Sequence, residues 1–421
     1  MLFGLLLFLS LYLPFQIALN PAEGVDLASI RVLIIAIFLA WLASGLKNKK
    51  ITFGKNPQTL LVASFLFLNI FSIFFARNPE WSARKLLFLF SIFPLYFVAS
   101  AEIKNTLRME KIIRCLIFSG TAAAAVGIGQ FLAQFVFGLE AVYGFWAAYA
   151  VPPFLGRSFT EAVLRNPSWL VNISGATYLR ATSFFPDPHM FSYYLGLLAP
   201  LALVLFLKNK KWLYLAAFFV LMIADALTFS RGGYLGLFSG FVVFWFSGVS
   251  RLNMKYKFLI SLAAVVLLIG LFLIPSPISK RFSSSFNLRE GSNRGRIETW
   301  NQAVEVARDQ PFFGTGIGNY PLAIKPTADY REPIYAHNTY LDIAAETGIA
   351  NAFVWIFLMF SFTVAFLKKS KEDIIFLGCA AGVVIFSVHS LFETAIYSPV
   401  VLALLLLTLS FGNIDTNEKN S

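Results

Sequence analysis

His337 is one of three histidines in the chain, and it sits in the most polar, turn-rich stretch of the sequence, PFFGTGIGNYPLAIKPTADYREPIYAHNTYLDIAAETGI, residues 311–349. An imidazole accepts a proton from a hydroxyl near neutral pH, so a base for hydroxyl chemistry is the reaction type to consider first. Asn338 follows as the expected N-cap of a helix that carries Tyr340, which puts His337 just ahead of a helix start. Upstream, Arg289, Arg294 and Arg296 precede a helical pattern with Ile297, Trp300, Val304 and Ala307 on one face, closed by Pro311. Arginine grips phosphate through paired, planar N–H donors. The turn GTGIG, Gly314 to Gly318, reads as a sharp chain reversal. It has no strand before it and no Walker lysine, so it does not read as a nucleotide cradle.

Arg231 in SRGGYLG stands between two apolar runs with almost no loop to hold it in water. A cation there needs a partner or a polar cavity. Asp225 is the candidate partner within the chain, and an anionic substrate group is the alternative. Arg180, in YLRATSFFPDPHMFSYY, is a further cation ahead of an apolar run. In the same segment Asp187 and Pro188 read as a helix start, and Asp187 and His189 read as structural. His389 and Glu393, spaced i,i+4, are either a helix-stabilising pair or part of the same cavity. Other chemistries find no support: there is no HExxH, no GxSxG elbow and no aromatic-basic nucleic-acid module. Cys115 and Cys379 have no CxxC partner, so neither a disulfide nor a thiolate metal site is expected.

The elements that must position these residues are apolar. The chain has 421 residues, 58% hydrophobic and 13% charged, with 47 phenylalanines and a mean hydropathy of +0.71; a soluble domain carries about a quarter charged residues. Twelve apolar runs are each taken as a helix crossing the membrane: 2–19, 28–46, 59–76, 85–101, 115–138, 189–207, 212–229, 232–249, 258–275, 350–367, 374–392 and 397–412. The expected fold is therefore all-α, a polytopic transmembrane bundle with a large helical loop between the ninth and tenth spans. The run from Leu2 lacks the basic and small-residue flanks of a removed signal peptide and reads as a first span. The division is 1–275, nine spans including an outward loop at 139–188; 276–349, the large loop carrying the candidate site; 350–412, three spans; and 413–421, a polar tail.

The net charge of +12 falls in short clusters between the runs, including Lys47 to Lys55, Lys104 to Arg114, Lys208 to Lys211, Arg251 to Lys257 and Lys368 to Lys371. Short basic connections face the cytoplasm. The two long loops then face outward, both termini inward, and the basic charge calls for no nucleic acid. In a bacterial cell the site would lie on the periplasmic or outer face of the cytoplasmic (inner) membrane.

The order SRGG, RIETW, PFFGTGIGNY and HNTYLDIAAETG, spread over about 178–350, resembles the O-antigen ligase and O-antigen polymerase superfamily of bacterial envelope enzymes. The resemblance implies a twelve-span fold with a large periplasmic loop. It implies a glycosyltransferase that moves a glycan from an undecaprenyl-diphosphate carrier to an acceptor hydroxyl on lipid A core, another glycan or a protein. The partners are then lipid-linked donor, acceptor and membrane lipids, with no cofactor and no metal, and displacement inverts the anomeric carbon. By motif, His337 corresponds to the base, and Arg231, Arg296 and Arg180 to the diphosphate-binding arginines, with Asn338, Tyr340, Asp225 and Trp300 in support. His189 departs from the small polar residue, such as Asn, expected beside the Asp-Pro pair. A polymerase of the same superfamily shares these motifs. A lipid-linked glycan flippase is the alternative from another class, and the gathering of polar residues at one surface rather than at mid-membrane argues against it.

Overall fold

Helix Pro188–Asn209 is the hub of the molecule. Asp187 caps it by accepting from the backbone N–H groups of His189 (2.8 Å) and Met190 (2.9 Å), Pro188 occupies its first position, and Lys210 ends it in a left-handed conformation. Its most apolar 18-residue stretch is 94% buried, so other helices and not lipid surround it. It packs chiefly against Trp212–Ala226 and Ile375–His389, and helix Arg231–Gly248 lies against Ile375–His389 and reaches the hub as well. The computed structural model describes residues 1–415 apart from 23–24, 52, 55, 166–167, 174, 249–290 and 331. The expected span 258–275 and Arg289 lie outside the described residues.

The described chain is nearly all helix. Six helices are long and apolar enough to cross a membrane: Ser29–Lys47, Pro57–Phe75, Pro79–Glu102, Thr106–Phe137, Pro188–Asn209 and Ile349–Lys369. Leu2–Phe15, Trp212–Ala226, Ile375–His389 and Pro399–Asn413 are shorter and equally apolar. Phe67, Phe74, Phe118, Phe135, Phe353 and Phe360 on these helices point outward, as side chains in contact with lipid do.

Three features depart from the sequence reading. Helix Thr106–Phe137 begins nine residues before the expected span, at a cap where Asn105 accepts from Arg108 N (3.0 Å). The basic residues Arg108, Lys111 and Arg114 are thus on a helix turn and not in a connecting loop. Two small antiparallel hairpins also occur, Ala18–Ala22 with Val25–Ala28 and Leu170–Ile173 with Ala176–Leu179. Finally, helix Gly291–Asp309 starts ahead of Arg294 and Arg296 and includes them. Its buried side is Ala303 and Ala307, with Trp300 partly covered, while Ile297 and Val304 are exposed.

The Gly-rich turn is a docking key. Gly314, Gly316 and Gly318 all have positive φ, and a Cβ on Gly316 would lie 2.5 Å from Ala76 Cα. Ile317 N donates to Ser72 Oγ (3.1 Å), and Ser82 Oγ donates to Ile317 O (2.6 Å). Asn319 exchanges bonds with the backbone of Asn78 (2.6 and 3.2 Å) and with Ser82. The chain reversal foreseen at GTGIG is present, and its polar backbone atoms are taken up by helices 57–72 and 79–92.

Candidate active site

Glu393 is the focus of the polar cluster. It lies in the turn between helices Ile375–His389 and Pro399–Ser410, and its side chain is 11% exposed. His337 Nδ1 is 2.6 Å from its Oε1, Arg296 Nη2 is 3.5 Å from its Oε2, and His189 Nε2 is 3.9 Å from the same oxygen. Its backbone carbonyl accepts from Tyr193 Oη (3.0 Å) and Thr339 Oγ1 (2.9 Å). Burial pushes the Glu393 carboxyl up, but the charge and hydrogen bond of His337, with the Arg296 charge beside them, outweigh that and hold it well below the usual carboxylate range. In return the Glu393 charge raises His337 above an ordinary histidine, against burial and the Arg296 charge.

Residue 337 is held from both sides. Its φ is +51°, a left-handed conformation that a side chain adopts only when its surroundings enforce it. On one side Ala336 N donates to Asp342 Oδ1 (2.8 Å), and on the other Asn338 caps helix Thr339–Thr347 through Tyr340 N (3.0 Å) and Leu341 N (3.2 Å). Thr339 N donates to Ser390 O (2.9 Å), and Tyr340 Oη to Ser387 O (2.7 Å). Asp342 also accepts from Thr394 Oγ1, so a single carboxylate braces the neighbours of both His337 and Glu393. Burial pushes Asp342 up to about 6, and the Thr394 hydroxyl and Ala336 amide resist this. The His337 side chain is 42% exposed, so its free edge faces the outside of the cluster.

Arg180 is delivered by a different device. Near one end of helix Thr106–Phe137, two buried glutamines replace a strand partner for Leu179–Ser183. Gln134 accepts from Leu179 N (2.8 Å), and Gln130 accepts from Thr182 N and Ser183 N (2.9 Å each). Arg180 then donates to Thr228 O (2.6 Å) and Ser168 O (3.0 Å), which ties it to the turn before Arg231. Asp187, beside Arg180 and Glu393, is raised to about 6, by burial first and the Glu393 charge second. Arg231 opens helix Arg231–Gly248 and is 4% exposed. Gly232, Gly236 and Gly240 let that helix lie directly on Ile375–His389: a Cβ on Gly232 would meet His389 Cδ2 at 2.6 Å, and one on Gly236 would meet Ile385 O at 2.9 Å.

The structure therefore brings His337, Arg296, Arg180 and the start of the Arg231 helix to one end of the bundle. Trp300 joins them beside Phe392 (6.2 Å between rings), and its indole N–H has no acceptor among the described residues. Asn338 and Tyr340 act through the backbone. Asp225 does not pair with Arg231: neither of its oxygens has a hydrogen-bond partner among the described residues. His389 and Glu393 are no helix pair either, because the helix ends at His389 and that ring bonds to Ser230 Oγ (3.1 Å). His189, read as structural, lies within the cluster. Arg294 faces solvent in an i,i+4 pair with Glu298. Glu393, left open in the sequence between a helix pair with His389 and a place in the cavity, lies at the centre of the cluster. Its one signal was a carboxylate in a short connection between apolar runs, four residues after a histidine.

The described residues thus form an apolar helical bundle with a histidine–carboxylate pair and arginines gathered at one end. Residues 216–356, about a third of the chain, match the family described as O-antigen ligase. The match spans Arg231, Arg296 and His337, and the resemblance to the O-antigen ligase superfamily drawn from the SRGG, RIETW and HNTYL motifs stands. No curated protein matches the chain. At this level it is an O-antigen ligase-like membrane protein of glycan processing, and the family implies a lipid-linked glycan and an acceptor as its partners.

Proposed function

We propose that the protein is a glycosyltransferase that moves a glycan from an undecaprenyl-diphosphate carrier to an acceptor hydroxyl at the outer face of the cytoplasmic membrane. The observation that carries this reading is the 2.6 Å contact between His337 Nδ1 and Glu393, with Arg296 on the same carboxylate. Glu393 holds a proton on Nδ1 and leaves Nε2 as the acceptor edge, the arrangement a general base requires. The acceptor oxygen loses its proton to His337 Nε2 and bonds to the anomeric carbon. The bond from that carbon to the diphosphate oxygen breaks, and the electron pair leaves on undecaprenyl diphosphate. Arg231, Arg296 and Arg180 stabilise the charge growing there. Arginine stays charged throughout, so the reaction is expected to proceed without a divalent metal. The apolar tail is accommodated between helices. The unpartnered Trp300 N–H is a spare donor for a glycan or phosphate oxygen.

The test is glycan transfer by purified protein in detergent with EDTA, supplied with an undecaprenyl-diphosphate glycan and candidate acceptors. Wild type should transfer, and His337→Ala should lose roughly 10²–10⁴-fold in kcat, the usual worth of a positioned base. Arg231→Ala should fail while remaining folded. Full transfer by His337→Ala would remove it as the base. Movement of the carrier-linked glycan across liposomes, with no transfer to any acceptor, would replace the enzyme by a flippase.

A further inference from the structure

All three histidines of the chain belong to one connected cluster, and a serine decides how two of them hold their protons. His189 Nδ1 lies 3.0 Å from Ser230 Oγ, and the same Oγ lies 3.1 Å from His389 Nε2. Gly233 N also donates to this oxygen (3.3 Å). Ser230 and His389 are fully buried. His389 stacks flat on Tyr193, with 3.7 Å between ring centres, and its other nitrogen, Nδ1, has no partner among the described residues.

A hydroxyl has one proton to give and two lone pairs to receive. The Gly233 amide occupies one lone pair. Only one imidazole can donate to the other, and the remaining imidazole must take the serine proton. Two arrangements satisfy this count. In the first, His389 Nε2–H donates to Ser230, whose hydroxyl donates to His189 Nδ1. The unpartnered nitrogen of His389 is then a bare acceptor, and His189 carries its proton on Nε2, aimed at Glu393 Oε2, 3.9 Å away. In the second, the directions reverse. His389 Nδ1 is unpartnered either way, as a lone pair in the first arrangement and as an N–H in the second, and His189 now turns a lone pair toward the Glu393 carboxylate. The repulsion between that lone pair and the carboxylate, against the attraction of an N–H, favours the first arrangement.

We propose that His189 is a positioning residue whose Nε2–H is set by the His389–Ser230 relay and steadies the Glu393 oxygen opposite the one that His337 uses. Glu393 is then flanked at both oxygens, bonded by His337 at one and facing Arg296 and the His189 N–H at the other, and the serine of SRGG acts on the base through His189 and Glu393. This rests on the reading of His337 as the base, but the proton placement stands on the geometry alone.

With three histidines, the full-length protein labelled with ¹⁵N-imidazole in lipid nanodiscs gives a readable nitrogen spectrum. His189 is assigned by the signal lost in His189→Asn. Near neutral pH wild type should show His189 as the Nε2–H tautomer with a hydrogen-bonded Nδ1 acceptor, and His389 likewise as Nε2–H. In Ser230→Ala, His189 should become a tautomer mixture, and kcat for transfer should fall severalfold with KM for the lipid-linked donor unchanged. Detection of His189 with its proton on Nδ1 in wild type overturns the proposal, as does a His189 tautomer indifferent to Ser230→Ala. Should Ser230→Ala not fold, the wild-type spectrum decides. Failure of the transferase reading would show separately, as no transfer by wild type with the tautomers as described.

Discussion

The His337–Glu393 pair makes activity and stability respond to pH in opposite senses on the alkaline side. As a base His337 must be unprotonated, and the Glu393 charge raises its pKa above the ordinary 6.5. Transfer should therefore rise with pH through a midpoint above that value. In Glu393→Gln the rise should move to lower pH, with a smaller plateau, which a pH–rate profile of kcat/KM measures; an unmoved midpoint would separate Glu393 from the base. For folding the signs are these. The share from His337, whose folded pKa is raised, is fully present below 6.5 and is lost as pH rises through the raised value. The share from Glu393, whose folded pKa is depressed, is present above 4.5 and is lost as pH falls through the depressed value. Thermal unfolding in detergent should show this pair's contribution greatest between those limits, and Glu393→Gln should flatten it. The residue types of the site were legible in the sequence because a histidine and arginines are conspicuous in an apolar chain. Glu393 was hidden because it is 56 residues from His337, and only the packing of two turns brings them together.

At the scale of elements, the loop that carries His337 is tied to helix Pro79–Ile92 as well as to its own neighbours. Lys85 Nζ lies 2.8 and 3.1 Å from the Glu346 carboxylate and 3.6 Å from the Tyr397 ring centre, and Tyr397 Oη donates to Glu346 (2.7 Å). Glu346 is on the helix that follows His337, with its side chain 3% exposed. Removing one partner strands a buried charge, at about 3–5 kcal/mol, while replacing both with apolar groups is far milder. Lys85→Met should lower the melting temperature more than Lys85→Met with Glu346→Met, and equal melting of the two would show that the pair is not buried as described. Gly316→Ala tests the other tie: its φ of +87° and the 2.5 Å approach to Ala76 both forbid a methyl group. It should destabilise, by about 1–3 kcal/mol for the backbone strain alone. Helix existence was legible from apolar runs and caps, as at Asp187–Pro188 and Asn338. The two hairpins were not, because their strands are only four or five residues long and just one of them, Leu170–Ile173, alternates in burial. The buried side of Gly291–Asp309 was read in part: Ala307 is buried and Trp300 partly covered as expected, but Ile297 and Val304 are exposed and Ala303 is buried in their place.

At the scale of the whole molecule, the polar cluster sits at the end of the bundle opposite the lysine-rich helix ends, among them Lys208 to Lys211 and Lys368 to Lys371. The positive-inside reading then puts the cluster outside. With the native thiols replaced (Cys115→Ser, Cys379→Ala), a membrane-impermeant maleimide on intact cells should label Thr327→Cys and spare Lys211→Cys until the membrane is opened. The reverse pattern would turn the protein over and place the proposed chemistry in the cytoplasm.

The buried hub helix has a consequence for how the protein is made. Pro188–Asn209 leaves the ribosome long before Ile375–His389, the helix against which it packs and whose His389 stacks on its Tyr193. Until that later partner is inserted, the hub must rest against lipid, and the turn carrying Glu393 does not exist. A growing chain therefore carries its arginines and His337 before the carboxylate that meets them exists. Under the proposed function, a half-built copy would leave the carrier lipid untouched, because competence would arrive only after Ile375–His389 and the turn that follows it.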